Sequence, residues 1–197
     1  VIEMQSRILT YEDPELVAWL HARLQKEGVK ILVHHKAHQV QEKNNVTTVY
    51  CVQNNGERVE IEGNALLVAV GRKPNIHGLG LEPIGVITNS KGIAVDAYLR
   101  SSVKNIFACG DVVGPYLFSH MAWYQAVTAV RNACIPIFKK KIKSDLKVWA
   151  TFTAPELAHL GMTEQEARQV HGDGISVYTR SYDTLDRAHA DGNTFDI

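Results

Sequence analysis

The sequence predicts an α/β protein, and two patterns in its 197 residues support that fold class. The chain opens as if within a strand at residues 1–4, continues with a helical pattern after Asp13, and then has an apolar stretch over residues 29–33. Strand, helix and strand in this order form the unit of a parallel α/β sheet. Further along, another apolar stretch ends at Gly110-Asp111 and a second helical pattern follows.

The first helix and the hairpin after it have clear local signals. Pro14 suits the first helical position after the N-cap residue Asp13, and Gly28 ends the helix. Residues 46–52 and 58–61 flank an Asn-Gly pair, which predicts a β-hairpin. The apolar residues that recur at helical spacing are Leu16, Val17, Leu20 and Leu24.

The middle of the chain predicts short strands separated by a long loop. Residues 65–70 form an apolar run of strand length that ends at Gly71. Residues 73–92 are rich in Gly and Pro, which predicts a crossing loop. Residues 93–95 and 106–108 predict two further short strands.

A second helix and a domain boundary are predicted next. Ser119 is expected to cap a helix over residues 120–134. Pro136 and the basic run over residues 139–141 then interrupt the pattern, and we place a domain boundary near Ser144.

Two strands and one short helix are predicted beyond that boundary. Residues 148–152 and 175–178 have the apolar character of strands. Thr163 and Glu166 have the spacing of a capping box, which predicts a helix from there through Val170. A turn that contains two glycines follows this helix.

Composition and charge exclude several classes of protein. Lys plus Arg and Asp plus Glu both number 21, and this zero formal charge gives no sign of a nucleic-acid partner. The 45% hydrophobic content fits a packed core. No apolar run approaches the roughly 18 residues of a membrane span. The three cysteines, Cys51, Cys109 and Cys134, are not closely paired in sequence. Together with the lack of a signal peptide, they favour a reducing, cytoplasmic compartment.

A histidine cluster and a lysine run were candidates for binding sites. His34, His35 and His38 do not suit a metal, because adjacent side chains on a strand point to opposite faces. His34 and His38 would also lie roughly 13 Å apart at about 3.3 Å per residue, whereas zinc needs converging ligands. The lysines over residues 139–141 with Lys143 predict a solvated linker.

The strongest functional signal is the apolar strand that ends at Gly110 and Asp111. In open α/β sheets, ligands bind beyond the carboxyl ends of the strands. A carboxylate there can accept hydrogen bonds from sugar-like hydroxyls, and small neighbours let a flat cofactor approach the backbone. Taken alone, the pattern is equally compatible with an ordinary Gly-Asp turn.

The segment after Asp111 favours a ligand cradle. A loop that contains glycine leads into residues 118–122 and then into the second helix. The first turn of a helix offers free backbone N–H groups and the positive end of the dipole. Such a helix start stabilises negative charge that develops on a ligand. His120 is a candidate ligand contact, although a first-turn histidine is more often only partly exposed.

Three motifs occur in this order along the chain: LLVAVGRKPN at residues 66–75, IFACGD at residues 106–111 and PELAHLGMTE at residues 155–164. Together they resemble the FAD-dependent pyridine nucleotide–disulfide oxidoreductases, the family that includes dihydrolipoyl dehydrogenase, glutathione reductase and mercuric reductase. Residues 118–122 and 185–188 look most like the mercuric-reductase-like branch. The resemblance covers essentially the whole chain.

The resemblance implies a role for the residues on the flavin side. Asp111, beside Gly110, matches the acid that holds the ribityl chain of FAD. Phe118, Ser119 and His120 match the helix start whose backbone N–H groups face the pyrimidine edge of the flavin. Reduction builds negative charge on that edge, which fits the dipole argument.

The resemblance also implies a nicotinamide side. Gly71 matches the turn that lies close to the nicotinamide cofactor. Glu3 matches the acid that ends the second strand of the NAD domain, where a carboxylate suits the ribose hydroxyls of NAD and repels the extra phosphate of NADP. The implied cofactors are therefore FAD and NAD(P)H, with NADH preferred.

The same resemblance divides the chain into three parts. Residues 1–72 match the second half of a Rossmann-like NAD(P)-binding domain, residues 73–143 a returning FAD-binding segment, and residues 144–197 the N-terminal part of an α+β dimerisation domain. The sequence has no glycine-rich phosphate loop. Gly78 and Gly80 have the spacing of its first two glycines, but Pro83 takes the place of the third. It has no cysteine pair spaced by four residues, and it does not begin with methionine. We therefore expect a piece of a larger protein.

The parent protein is expected to transfer hydride from NAD(P)H through FAD to a disulfide or similar acceptor, as a homodimer through its C-terminal domain. The isolated chain is expected to be inactive, and no catalytic or metal residue is assigned. Two alternatives stay open. The parent could be an NADH oxidase or quinone-type flavin reductase without a redox disulfide. The chain could also be only an association module without catalysis.

Overall fold

The structure is a computed structural model that describes residues 1–115, 117–135, 137–142, 148–190 and 192. It is an α/β protein, as predicted, and divides into two compact units. The first comprises Val1–Val68 with Ala150–Ile197, and the second Ala69–Trp149. The boundary predicted near Ser144 lies outside the described residues, and the three-part division stays a prediction. Among the described residues, no helix is long and apolar enough to cross a membrane.

The predicted parallel pairing at the start of the chain is present but short. Ile2 and Leu32 form a single parallel bridge, so the strand predicted over residues 29–33 is reduced to one bridge. The Leu32 N–H donates to the Val1 carbonyl, and the Glu3 N–H donates to the Leu32 carbonyl, both at 2.9 Å. These two bonds align the opening residues with the segment after the first helix.

Helix α1 spans Pro14–Lys26 and ends before Gly28, as predicted. Asp13 is its N-cap residue, but the Asp13 side chain makes no capping hydrogen bond. Its Oδ1 instead accepts a hydrogen bond at 3.1 Å from the Glu164 N–H. Asp13 therefore joins two segments of the first unit that are 151 residues apart in sequence.

An antiparallel sheet of three strands follows α1, in the order β1-β2-β3. The strands are β1 His35–Lys43, β2 Val46–Gln53 and β3 Arg58–Gly63. The β2–β3 pair confirms the predicted hairpin. β1 was missed because its side chains are mostly polar and exposed and show no apolar alternation. β2 supplies buried Val49 and Cys51, and burial raises the pKa of the Cys51 thiol.

Two predicted strands are wrong. Residues 65–70 and residues 175–178 are not strands in the structure. A strand needs a neighbouring strand for its backbone N–H and C=O groups, and the described part of the chain places none beside either segment. The side chains of Leu67 and Val70 are accordingly 89% and 92% exposed.

The second unit has a small apolar core. Its strands β4, Thr88–Asn89, and β5, Gly92–Ile93, pair antiparallel. The strand predicted over residues 93–95 is shortened to β5. Phe107 makes an isolated bridge to Arg100, so the strand predicted over residues 106–108 is reduced to one bridge. The buried core residues are Leu81, Val86, Ile93 and Ala108.

Helix α2 spans Ser119–Cys134. Ser119 was predicted as its cap, but the extended residue Phe118, with φ −118° and ψ 142°, holds the N-cap position. Ser119 is therefore the first helical residue, and the N-cap makes no side-chain hydrogen bond. The buried residues recur every three or four positions and form one face: Met121, Gln125, Thr128, Ala129 and Asn132.

Asn132 fixes the basic run that follows α2. Its Oδ1 accepts from the Lys140 N–H at 2.7 Å, and its Nδ2 donates to the carbonyls of Lys140 and Tyr98 at 2.8 and 3.0 Å. The lysine side chains over residues 139–141 are exposed, as a solvated segment requires. The backbone at Lys140 is nevertheless held against the helix, and Lys143 lies outside the described residues.

Asp96 organises the loop that leads to the Arg100–Phe107 bridge. Its Oδ1 accepts from the N–H groups of Tyr98 and Arg100 at 2.8 and 3.0 Å. Its Oδ2 accepts from Nε and Nη2 of Arg100 at 2.9 and 2.7 Å. Burial acts to raise the pKa of Asp96, but the bonds from Arg100 and Tyr98 and the Arg100 charge outweigh it and lower the pKa.

The C-terminal part contains two paired strands and two helices. β6, Val148–Thr151, confirms the strand predicted over residues 148–152, and it pairs with β7, Leu157–Leu160. β7 was not predicted. Helix α3 spans Glu164–His171 and helix α4 spans Asp186–Ala190.

The capping box predicted at the start of α3 is confirmed. The Glu166 N–H donates to Thr163 Oγ1, and the Thr163 N–H donates to Glu166 Oε2, both at 3.2 Å. The two bonds satisfy two backbone donors that a helix start leaves without an intrahelical partner.

A buried polar cluster in the first unit centres on Glu12, which is 5% exposed. Glu12 Oε1 accepts from Thr151 Oγ1 at 2.7 Å, and Oε2 lies 3.2 Å from His159 Nδ1. His159 Nε2 lies 2.9 Å from the Gly161 carbonyl oxygen, so both ring nitrogens have polar neighbours. The buried carboxylate is thus partnered from β6 and from β7.

Replacing Thr163 with alanine should lower the free energy of unfolding by about 1 kcal/mol, because the substitution removes the hydroxyl that caps α3. Ser119→Ala is the matched control, since it removes a hydroxyl from a helix start where the side chain makes no capping bond. The control should change the free energy by less than about 0.5 kcal/mol. Urea denaturation followed by circular dichroism measures both, and equal losses would contradict the capping assignment.

Asp96→Asn should remove an acid-sensitive contribution to stability. Because the pKa of Asp96 is lowered in the folded state, the ionised carboxylate stabilises the fold at neutral pH. That contribution is lost as the pH falls through the folded-state pKa. The wild type should therefore have the higher Tm at neutral pH, and the two Tm values should converge in strong acid. A difference in Tm that does not change with pH would overturn this explanation.

Candidate functional site

The segment that follows the Phe107 bridge forms a tight turn against α2. The Ala108 N–H donates to the Leu99 carbonyl at 3.1 Å, and a single 3₁₀ turn, Gly110–Val112, follows. Gly110 has φ +80°, and a Cβ built on it would lie 3.3 Å from Ala122 Cβ. A residue other than glycine would be strained here by both its backbone angle and its side chain.

Gln125 holds this turn to the helix. Its Oε1 accepts a hydrogen bond from the Gly110 N–H at 2.6 Å, and its side chain is buried, with the residue 4% exposed. Ala122 and Gln125 are three residues apart and therefore lie on the same face of α2. Sequence analysis missed Gln125. Its signal was weak, since a glutamine inside an amphipathic helix does not reveal a contact 15 residues earlier.

Asp111 follows Gly110 directly and pairs with an arginine. Arg72 Nη2 lies 3.1 Å from Asp111 Oδ2, and the Asp111 side chain is 40% exposed. Arg72 follows Gly71, which has φ +125°. Gly71 and Asp111 are both predicted site residues. The ion pair connects Asp111 to Arg72, the residue that follows Gly71. Arg72 lies within the motif at residues 66–75, but its pairing with Asp111 cannot be inferred from that motif.

β5 contacts the same turn from another direction. Gly92 has φ +127°, and a Cβ built on it would overlap the carbonyl oxygen of Val112. Glycine is required at this position because the backbone of β5 passes so close to the turn. The Asp111 turn is thus held by backbone contact with β5 and by Gln125 from α2.

The start of α2 presents backbone rather than side-chain donors. The helix has no side-chain cap and no acidic residue in its first turn. The ring of Phe118 stacks with His120 at 5.5 Å and with Trp149 at 5.8 Å between centroids. His120 Nε2 lies 2.6 Å from the Val148 carbonyl and therefore donates to it. Ser119 and His120 are both exposed, although the His120 ring stacks with Phe118.

Glu3 belongs to the first unit. Its Oε1 accepts a hydrogen bond from the Gln5 N–H at 2.8 Å, and its carbonyl accepts from the His35 N–H at 2.9 Å. The residue is half-buried, so part of the carboxylate still faces solvent.

The histidine cluster makes local contacts. Asn54 Nδ2 lies 3.0 Å from His34 Nδ1, and His35 Nδ1 lies 2.6 Å from the Val33 carbonyl. Within the described ranges, no three His, Cys, Asp or Glu residues are arranged to hold a metal ion.

Comparison with known proteins supports the resemblance predicted from the motifs. A family model described as "Pyridine nucleotide-disulphide oxidoreductase" matches residues 1–133, and the dimerisation domain of the same family matches residues 148–196. The dihydrolipoyl dehydrogenase of Bacillus subtilis is 30% identical over 88% of this chain and 37% of its own length. The mercuric reductase of Staphylococcus aureus is 32% identical over 95% of this chain and 34% of its own length.

The fold also resembles that of a flavoprotein of known structure. The HOCl-induced flavoprotein disulfide reductase RclA from Escherichia coli superposes with a TM-score of 0.83 at 26% identity, over 99% of this chain and 44% of that one. The chain spans little more than a third of the length of the curated relatives named above. The predicted family and fold are confirmed: this chain belongs to the pyridine nucleotide-disulphide oxidoreductase family.

Proposed function

We propose that these residues form part of an FAD-dependent NAD(P)H oxidoreductase that delivers electrons to a disulfide or a similar acceptor. Family membership supports this function, as do the printed names of the relatives, which include a flavoprotein disulfide reductase. The observation that carries the proposal is the Asp111 carboxylate. It lies in the turn that follows the Phe107 bridge, beside Gly110, and this turn packs against α2 at Ala122.

The residues at this position fit a flavin. The Asp111 carboxylate is partly exposed and can accept hydrogen bonds from hydroxyls. Because Gly110 has no side chain, the turn that carries Asp111 lies against α2. The start of α2 carries no acid that would repel negative charge. When bound, FAD would accept hydride from NAD(P)H and supply electrons to the acceptor.

The residues of the chain have distinct tasks in this proposal. Asp111 accepts hydrogen bonds from the ribityl chain, and Arg72 keeps its carboxylate in place. The backbone N–H groups of Phe118, Ser119 and His120, together with the α2 dipole, stabilise negative charge on the reduced ring. The ring of Phe118 holds the helix start, because it stacks with His120 and with Trp149.

Gly71 and Glu3 are proposed for the nicotinamide cofactor. Gly71 makes room for the nicotinamide because it has no side chain. The Glu3 carboxylate suits the adenosine ribose hydroxyls of NADH and disfavours the phosphate of NADPH. We also propose a homodimer that forms through the region matched by the dimerisation domain, which supports this assembly.

Asp111→Ala should weaken FAD retention in the full-length gene product that contains these residues. Hydrogen bonds to a charged group contribute about 1.5–3 kcal/mol, so the FAD dissociation constant should rise roughly tenfold or more. Glu82→Ala, which removes an exposed acid elsewhere in the second unit, is the matched control. Flavin released from the purified proteins is measured by absorbance. Unchanged flavin occupancy in Asp111→Ala would refute the assignment.

Glu3→Gln should reduce the preference for NADH over NADPH, because the substitution removes the charge that repels the NADPH phosphate. The ratio of kcat/KM for NADH to kcat/KM for NADPH should fall by about threefold to tenfold. Glu15→Gln removes an exposed acid from α1 in the same unit and should leave the ratio unchanged. A wild-type enzyme that prefers NADPH would contradict the role of Glu3.

A further inference from the structure

We propose that Gln125 is a positioning residue of the flavin site: its amide oxygen sets where Asp111 lies relative to the start of α2. This inference rests on the function proposed above, since it concerns the same cofactor. Asp111 and the α2 start are separate pieces of backbone, and both must reach one ligand. Gln125 connects them through its hydrogen bond to the Gly110 N–H at 2.6 Å.

The first step of the argument is the closeness of the two backbones. Gly110, at φ +80°, has no side chain, and even a Cβ there would lie only 3.3 Å from Ala122 Cβ. The turn therefore lies directly on the face of α2 that carries Ala122 and Gln125. At such short range, one side chain from the helix can reach the backbone of the turn.

The second step is the burial of the contact. The Gly110 N–H belongs to a buried residue, and Gln125 is 4% exposed. A buried backbone donor needs a partner, and here the Gln125 oxygen provides it. An apolar side chain of the same size would leave this donor unsatisfied, so the turn would shift to find another acceptor.

The third step connects this contact to the cofactor. Asp111 is the next residue after Gly110, so a shift of the Gly110 N–H moves the Asp111 carboxylate relative to the α2 start. The ion pair with Arg72 cannot fix the position of Asp111 in place of Gln125, because that pair is partly exposed and weakened by solvent. Gln125 therefore controls the alignment of two groups that bind different parts of the flavin.

The test compares Gln125→Met, which keeps the length but loses the amide oxygen, with Gln125→Glu, which keeps an acceptor oxygen. In the full-length gene product, Gln125→Met should raise the FAD dissociation constant by about fivefold or more. The midpoint potential of the flavin that remains bound should become more negative, because the helix N–H groups no longer align with the reduced ring. Gln125→Glu keeps an acceptor for the Gly110 N–H and should therefore lose less FAD than Gln125→Met.

Asn132→Leu is the matched control for a purely structural effect. Asn132 is also buried on α2, but its bonds go to Lys140 and Tyr98, away from Asp111. This control should lower Tm while leaving the flavin midpoint potential unchanged. If Gln125→Met behaves as the control does, Gln125 has only a structural role and the proposal is wrong.

A measurement without the cofactor separates the two proposals. Hydrogen exchange of the Gly110 amide should be slow in the wild type and in Gln125→Glu, and at least about tenfold faster in Gln125→Met. Equal exchange in all three would overturn the positioning role even if FAD binds. A wild type with a protected Gly110 amide that binds no FAD would instead overturn the proposed function, and the flavin role of Gln125 with it.

Discussion

The candidate site depends on the close approach of the Gly110 backbone to helix α2. A left-handed glycine, the Ala122 methyl group and the Gln125 amide meet at this point. A side chain at Gly110 would be strained at this backbone angle and would press on the Ala122 methyl group. Without this contact, Asp111 and the start of α2 would be two unrelated surface features rather than the sides of one cradle.

The first unit depends on a different interaction, the burial of a charged side chain. A buried carboxylate is stable only when its oxygens have partners. Glu12, just before α1, finds them in Thr151 of β6 and His159 of β7, residues 139 and 147 positions away. The neighbouring Asp13 adds a bond to the first residue of α3. These polar contacts join the two ends of the chain within this unit, where few apolar residues are buried.

Elements with local signals could be predicted from the sequence, and elements that need a distant partner could not. The capping box at Thr163 and the hairpin after β2 are complete within a few residues. The apolar run over residues 65–70 looked like a strand but has no described neighbour, while polar β1 is a strand because β2 pairs with it. Gln125 was missed for the same reason, since its partner comes from another segment.

In the proposed function, the two sides of the cradle, Asp111 and the start of α2, favour opposite kinds of ligand group. Asp111 takes hydrogen-bond donors, such as sugar hydroxyls, whereas the uncapped start of α2 attracts acceptors and negative charge. A simple anion would satisfy the helix but be repelled by the carboxylate. Arg72 offsets part of that repulsion, yet the pair is partly exposed and screened by solvent. A molecule with a hydroxylated chain at one end and an electron-accepting ring at the other satisfies both demands. That combination supports the proposed flavin over a simple anion such as phosphate at this position.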